Sequence, residues 1–432
     1  MKRIGVGILG FGTVGAGVAD CISRNSAVIS ARMGIELELK WIADLDITSD
    51  RGVKVDSAIL TVDAQKVIAD PEVKIVVETI GGCGVARKFV MEALNAGKSV
   101  VTANKKLLAE HGAEIFDTAA KNGVDIYFGA SVGGGIPIIR SLREGLSGNE
   151  IESIHGILNG TCNYILTRME TEGRPFDEVL ADAQRLGYAE ADPSLDIDGF
   201  DTAHKACILA ALAYGFQPTL DQVQVEGIRN LNAIDVKCAA DFGCRIKLLA
   251  VVARMGREIE VGVHPTLVPV DHMLASVNGV FNAAMIRGDM VGDTLYYGRG
   301  AGRSPTASTV VADIVDIARS IAAGHTRYAR AVPVYGEGRT KLKAAGDIVS
   351  RFYVRFNVAD RAGSCATMAT ILARHGVSIS AALQKPFAED AKGFTTVVML
   401  MHPSEAKSLD AALCEIYKTG ILAEMPVRLR ML

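Results

Sequence analysis

Ile4-Gly5-Val6-Gly7-Ile8-Leu9-Gly10-Phe11-Gly12-Thr13-Val14-Gly15 is the stretch that decides the fold. A short apolar run reads as a buried strand, and Gly10-x-Gly12-x-x-Gly15 follows it and opens a helical segment. Each glycine of such a turn has its own reason. The first permits the tight turn, the second lets a pyrophosphate approach the backbone, and the third lets helix and strand pack closely, with phosphate charge meeting the helix N-terminus. The dinucleotide contacts expected here are Gly10, Phe11, Gly12, Thr13, Val14 and Gly15; the alternative is a glycine-rich turn with no ligand.

Outward from this turn, apolar runs at 35–43, 74–78, 99–102 and 125–128 alternate with helical segments such as 87–96 and 106–120, which end near Gly97 and Gly123. That is the rhythm of βαβ units, so residues 1–136 are expected to form an α/β, Rossmann-type doubly wound parallel sheet. Asp44 closes the second strand, where an acidic side chain binds the adenosine ribose hydroxyls and favours NAD. Lys40 and Arg51 lie close enough in sequence to meet a 2′-phosphate instead, which leaves NADP open, and Asp44 also suits a solvated turn.

After residue 137 the pattern changes to helices at 175–186 and 203–214 mixed with strands at 152–158 and 258–265, a second, α+β catalytic domain over 137–304. A helix at 306–322, capped near Ser304 with Pro305 in its first turn, is expected to pack back on the first domain as residues 305–323. Residues 324–350 read as a linker. Residues 351–432 cycle through strand 352–358, helix 364–375, strands 378–385 and 394–402, helix 405–418 and strand 423–431, a ferredoxin-like βαββαβ unit. Pro426 suits an edge position in the last strand.

The 432 residues carry 46 Lys and Arg against 49 Asp and Glu, a formal charge of -3 with no basic block, which excludes nucleic acid and anionic membrane surfaces as partners. Eight scattered cysteines without a CxxC pair argue against zinc ribbons and disulfide frameworks and for a reducing cytoplasm. The N-terminal run is too rich in glycine for a signal core, and no apolar run reaches the ~18 residues of a membrane span.

Asp201 and Lys205 lie four apart at the start of a predicted helix, hence on one face, with Glu190 and Asp196 just before. Carboxylates grouped with one lysine suit a substrate that carries an ammonium group and a reacting hydroxyl; the alternative is a surface ion pair. Lys105 follows a strand ending at Thr102, and the carboxyl ends of strands line the ligand crevice of a doubly wound sheet. Its neighbour Lys106 competes for the role, and both suit a solvated helix start.

The sequence resembles the homoserine dehydrogenase family along nearly its whole length. The resemblance rests on Gly10–Gly15, Val77-Glu-Thr-Ile-Gly-Gly82, Thr102-Ala-Asn-Lys-Lys106, Ala130-Ser-Val-Gly-Gly-Gly-Ile-Pro137, Asn159-Gly-Thr-Cys-Asn-Tyr164 and Gly298-Arg-Gly-Ala-Gly-Arg-Ser-Pro-Thr306. Most specific is Ala183-x3-Gly187-Tyr-Ala-Glu190-Ala-Asp-Pro193-x2-Asp196-Ile-x-Gly199-x-Asp201-x3-Lys205. It implies hydride transfer between L-homoserine and L-aspartate 4-semialdehyde with NAD or NADP, in threonine, methionine and isoleucine biosynthesis. Lys205 and Lys105 are then the catalytic lysines, with Lys105 also at the cofactor. Gly187, Glu190 and Asp196 sit at the substrate, Asp201 at the substrate or orienting Lys205, and Gly302 at the cofactor or in a flexible turn. A model lysine titrates near ~10.4, so burial and the second lysine's charge would lower one of the pair.

The resemblance further implies a sodium ion on the backbone carbonyls of Gly129, Val132, Gly134 and Ile136. Here the chain departs from the family, which often has Glu in place of Gly129, and the alternative is a tight hinge with no ion. The C-terminal unit resembles an ACT domain, although Asp360-Arg-Ala-Gly363-Ser lacks the usual proline before the glycine; threonine feedback is implied, with a purely dimer-forming role as the alternative. Sheet edges left open by such a unit point to a homodimer or homotetramer. Two other readings remain: an aspartate-semialdehyde or diaminopimelate-type dehydrogenase, the former needing a nucleophilic cysteine, and an amino-acid sensor without turnover.

Overall fold

The computed structural model describes residues 2–325, 332–333, 341–384 and 393–432. Its chain forms two compact units: Met1–Glu152 with His204–Gln222 and Asn282–Arg339, and Ser153–Ala203 with Val223–Phe281 and Thr340–Leu432. No helix among the described residues is long and apolar enough to cross a membrane.

The first unit opens with β1 (Lys2–Leu9), α1 (Thr13–Met33), β2 (Ile35–Ala43), β3 (Leu60–Thr61), α2 (Ala64–Ala69), β4 (Val73–Glu78), α3 (Gly84–Asn95), β5 (Ser99–Thr102), α4 (Lys105–Lys121) and β6 (Ile126–Tyr127). The six strands run parallel in the order β3-β2-β1-β4-β5-β6, so the order reverses direction between β1 and β4. In register, Ala43, Leu9, Glu78 and Thr102 form one row across four strands. The residues that follow them therefore leave the sheet along one edge, at the switch point where doubly wound sheets bind ligands. β3 and α2 escape a sequence reading because two- and six-residue elements are too short to show a period.

Beyond this sheet come α5 (Ile138–Arg140), β7 (Ile151–Ile157), α6 (Gly160–Glu172), α7 (Phe176–Arg185), α8 (Ser194–Ile197), α9 (Phe200–Tyr214), β8 (Gln224–Val225), α10 (Ala233–Asp241), β9 (Cys244–Met255), β10 (Glu258–Pro269), β11 (Phe281–Gly288), β12 (Gly292–Arg299) and α11 (Arg303–Ala322). Helix α11 does pack on the first sheet: Ala307, Val310, Ile314, Ile317 and Ala318 join Ile4, Val6, Ile8, Val18 and Ile22 in one core. Its cap differs from expectation. Ser304 lies inside the first turn, and the N-cap is Gly302, with φ +117 and no side-chain cap.

The C-terminal segment adds β13 (Lys341–Leu342), β14 (Val349–Ala359), α12 (Ser364–Arg374), β15 (Ile379–Gln384), β16 (Phe394–Glu405), α13 (Ala406–Lys418) and β17 (Val427–Met431), the βαββαβ order with its own core around Phe352, Phe356, Met368, Leu409 and Ile416. Residues 326–331 and 334–340 of the expected linker, and the end of strand 378–385 at Lys385, lie outside the described residues. The rest of that linker is less loop-like than composition suggests, since Lys341 and Leu342 pair with β10.

Within the second unit the strand order is β7-β9-β10-β17-β14-β16-β15. The last strand is thus interior: β17 pairs antiparallel with β14 and parallel with β10. Pro426 falls just before it and spares the ladder by position, not by lying on an edge.

Candidate functional site

The glycine turn has the geometry its sequence demands. Gly10 has φ +100, and a Cβ on Gly15 would lie 1.9 Å from the Gly10 carbonyl oxygen. A Cβ on Gly12 would meet nothing within 4 Å, so the open side of the turn is where a ligand comes closest. Helix α1 starts there with no side-chain cap and no acidic residue in its first turn, leaving its N-terminal N–H groups to an anion. These features fit a dinucleotide pyrophosphate. A cleft of about 590 Å³ adjoins, lined by Gly10, Gly12, Asp44, Thr79, Val85 and Lys88 among others.

Asp44 is tied into this turn: its Oδ2 accepts from Phe11 N at 2.5 Å and its Oδ1 from Asp46 N at 2.9 Å. The two cations weighed against it are engaged elsewhere. Lys40 pairs with Glu38 and Glu72 at 2.8 and 3.0 Å, and Arg51 with Asp46 at 3.0 Å. Thr13 and Val14 form the first turn of α1, and Gly302 heads α11.

A buried chain of hydrogen bonds sets the start of α4. Glu78, fully buried, accepts from Ile80 N and Gly81 N with one oxygen and from Thr102 Oγ1 with the other. Thr102 Oγ1 accepts from Asn104 N at 3.0 Å; Asn104 Oδ1 caps Leu107 N, and its Nδ2 donates to Gly82 O at 2.7 Å. Lys105 is the first helical residue after this cap and is half-buried. Lys106 points to solvent, 3.8 Å from Glu110.

Lys205 is buried on α9, one turn after buried Asp201. His204 Nε2 lies 4.0 Å from Glu110 Oε1, and Gln217 Nε2 donates to the Leu108 and Ala109 carbonyls, so α9 and its continuation lie beside α4.

In the second unit, the first turn of α6 gathers the carboxylates. Asn159 caps that helix through Oδ1 to Cys162 N, while its Nδ2 donates to Asp196 Oδ1 at 2.7 Å and Asp201 Oδ2 at 2.9 Å. Thr161 Oγ1 donates to Tyr188 O, fastening the loop that carries Gly187 and Glu190, both exposed. Asn159 and Thr161 were quoted in the sequence motif but given no role there. The signal was an Asn-Gly-Thr cap, which by itself speaks only of a helix start.

The loop of Gly129, Val132, Gly134 and Ile136 is buried except at Gly135 and Pro137. Gly129 N donates to Asp313 Oδ2 at 2.7 Å, and a Cβ at 129 would lie 2.8 Å from the same carboxylate. The small residue is thus explained by Asp313, which α11 brings in. Burial pushes the Asp313 carboxyl up to about 7. By type, backbone carbonyl oxygens and a buried carboxylate are donors that suit a hard monovalent cation.

Four of the thiols are held in the protonated form, which disfavours them as nucleophiles. Desolvation pushes Cys83 up to about 11 and Cys207 up to about 12, and Cys21 and Cys244 are also raised.

Two family models match the chain. One, described as the NAD binding domain of homoserine dehydrogenase, covers residues 10–129, and one described as homoserine dehydrogenase covers 137–315. The homoserine dehydrogenase of Neisseria gonorrhoeae is 44% identical over 96% of this chain and 95% of its own length. The crystal structure of one from Thiobacillus denitrificans aligns with a TM-score of 0.94 at 42% identity, over 100% of this chain and 99% of that one. A hyperthermophilic archaeal homoserine dehydrogenase in complex with NADPH aligns at 0.63 and 31% identity, over 73% of this chain and 98% of that one.

Proposed function

The chain belongs to the homoserine dehydrogenase family, an NAD(P)-dependent oxidoreductase line, and from that premise we propose which residues carry the interconversion of L-homoserine and L-aspartate 4-semialdehyde. The observation that carries the assignment is the α6 turn, where Asn159 joins Asp196 to Asp201, the latter one helical turn before buried Lys205. Asp196, Asp201 and Glu190 hold the substrate's ammonium group, with Gly187 shaping the loop around it. Asp201 also orients Lys205.

Lys205 handles the proton: neutral, it takes the hydroxyl proton during oxidation; as ammonium, it returns it to the carbonyl oxygen during reduction. Lys105 helps place the reacting oxygen and, by its charge, favours the neutral form of Lys205. A bound nicotinamide supplies the carbon that accepts or gives the hydride. Gly10 to Gly15, Asp44 and Gly302 hold that cofactor, and the engagement of Lys40 and Arg51 by carboxylates supports NAD over NADP.

The finer reading follows the same line. Residues 1–136 with 305–323 serve the cofactor, 137–304 the substrate and subunit pairing, and 351–432, joined through 324–350, act as an ACT-type regulatory unit for an amino acid such as threonine. The enzyme works as a homodimer or homotetramer in threonine, methionine and isoleucine synthesis. A cytoplasmic setting suits eight cysteines that all remain thiols. Sodium on the carbonyls of Gly129, Val132, Gly134 and Ile136 steadies the loop beside Asp313.

The test follows nicotinamide absorbance with L-homoserine and either cofactor, for wild type and Lys205→Ala. Expected are turnover in the wild type, rising above neutral pH, and a loss of about 10²–10⁴-fold in the variant with cofactor binding intact. Cofactor binding without any homoserine oxidation or semialdehyde reduction would overturn the assignment in favour of a sensor.

A further inference from the structure

Among the described residues, α3 and α4 bring together Cys83, Glu110 and His111, with one donor atom of each within 4.8 Å of the others. Cys83 Sγ donates to Glu110 Oε2 at 3.2 Å. One turn along, Arg87 grips Glu114 through two nitrogens at 3.0 and 2.6 Å, so the two helices are held at this spacing independently of the cluster. Buried His204 approaches the same Glu110 from α9 at 4.0 Å.

Thiolate, imidazole and carboxylate are the donors of zinc-type divalent cations. Bonds of ~2.0–2.3 Å in a tetrahedron place donor atoms ~3.3–3.8 Å apart, so the Cys83–Glu110 pair, at 3.2 Å, needs to open by only a few tenths of an ångström. Half-exposed His111 already brings a ring nitrogen within 4.8 Å of both. We propose that Cys83, Glu110 and His111 bind a zinc-type divalent cation, completed by water, and that its binding arrests turnover.

The route of inhibition is short. Cys83 follows Gly82, whose carbonyl takes the Asn104 amide that sets the start of α4 and hence Lys105. Drawing Cys83 onto Glu110 and His111 pulls on that contact and adds positive charge beside Lys105 and Lys106. On binding, the Cys83 thiol gives its proton to solvent and its sulfur bonds the metal; no electron changes hands. Lys106 lies 3.8 Å from Glu110 and competes for its carboxylate, so occupancy is reversible rather than structural. Binding is independent of the reaction assigned above, whereas the inhibition rests on the role proposed for Lys105.

The experiment titrates the full chain with Co²⁺, then Zn²⁺, reading thiolate-to-cobalt charge-transfer absorption beside turnover. One equivalent should raise the band, Zn²⁺ should abolish it, turnover should fall along the same curve, and a chelator should restore it. Cys83→Ser and His111→Gln should keep metal-free turnover, which also reports their folding. They should weaken binding at least as much as the ~10–100-fold that losing an outer-shell partner costs. No band, or the same band in Cys83→Ser, would sink the site. A band with full turnover would sink the inhibition, and a band in a wild type inactive on homoserine would instead count against the reaction assigned.

Discussion

Asn159 shows how much one buried amide can decide. Its two N–H groups reach two carboxylates from different parts of the chain, while its oxygen caps α6. Asn159→Ala removes these bonds from a buried site, and an unmet buried partner costs about 1–3 kcal/mol. The expected result is a raised KM for homoserine with a smaller fall in kcat and an unchanged KM for the cofactor. Steady-state kinetics with each substrate varied decide it, and an unchanged homoserine KM would count against the carboxylates as the ammonium site. The glycines are the opposite case: Gly10 and Gly15 were legible because one needs a left-handed φ and the other a bare backbone, both properties of the residue itself.

At the scale of the element, α4 owes its start to Asn104, an N-cap joined to Thr102, Glu78 and Gly82. Asn104→Ala should lower stability by about 0.5–2 kcal/mol, the usual worth of such a cap, with kcat reduced because Lys105 is the next residue. Thermal unfolding and turnover measured on one preparation test this; a stability loss with kcat intact would separate the cap from the lysine. The helix itself was readable from its period to within a residue at each end. Helix α11 was read with its start shifted, because Ser304 looks like a better cap than Gly302 until the turn's φ of +117 is known.

In the whole molecule, the C-terminal βαββαβ unit is built into the second compact unit. β17 lies between β14 and β10, buried Arg430 pairs with buried Glu260, and buried Asp235 on α10 accepts from Arg355 at 2.8 Å and Tyr353 at 3.0 Å. The same unit encloses Lys247 on β9, whose Nζ donates to Val277 O at 2.6 Å and Asn278 Oδ1 at 3.1 Å; burial brings it down to about 8. A lysine lowered in the folded state binds fewer protons there than when unfolded. Stability should therefore rise with pH from about 8 to the unfolded-lysine value of about 10.4, and this gain is lost as pH falls through 8. Urea unfolding across that range should show the slope in wild type and its loss in Lys247→Met; equal slopes would place the titration elsewhere.

What the sequence determined by itself was whatever local chemistry compels: the glycine turn, the parallel βαβ rhythm, the C-terminal βαββαβ order, and Asp201 and Lys205 on one helical face. Those follow from backbone conformation and periodicity, which act over a few residues. Only the tertiary structure decided that Asn159 joins Asp196 to Asp201, that Asp313 fills the space beside Gly129, and that β17 is an interior strand beside β10. Each is a contact between segments distant in the chain, and side-chain type and spacing do not encode which distant partner fills a given volume.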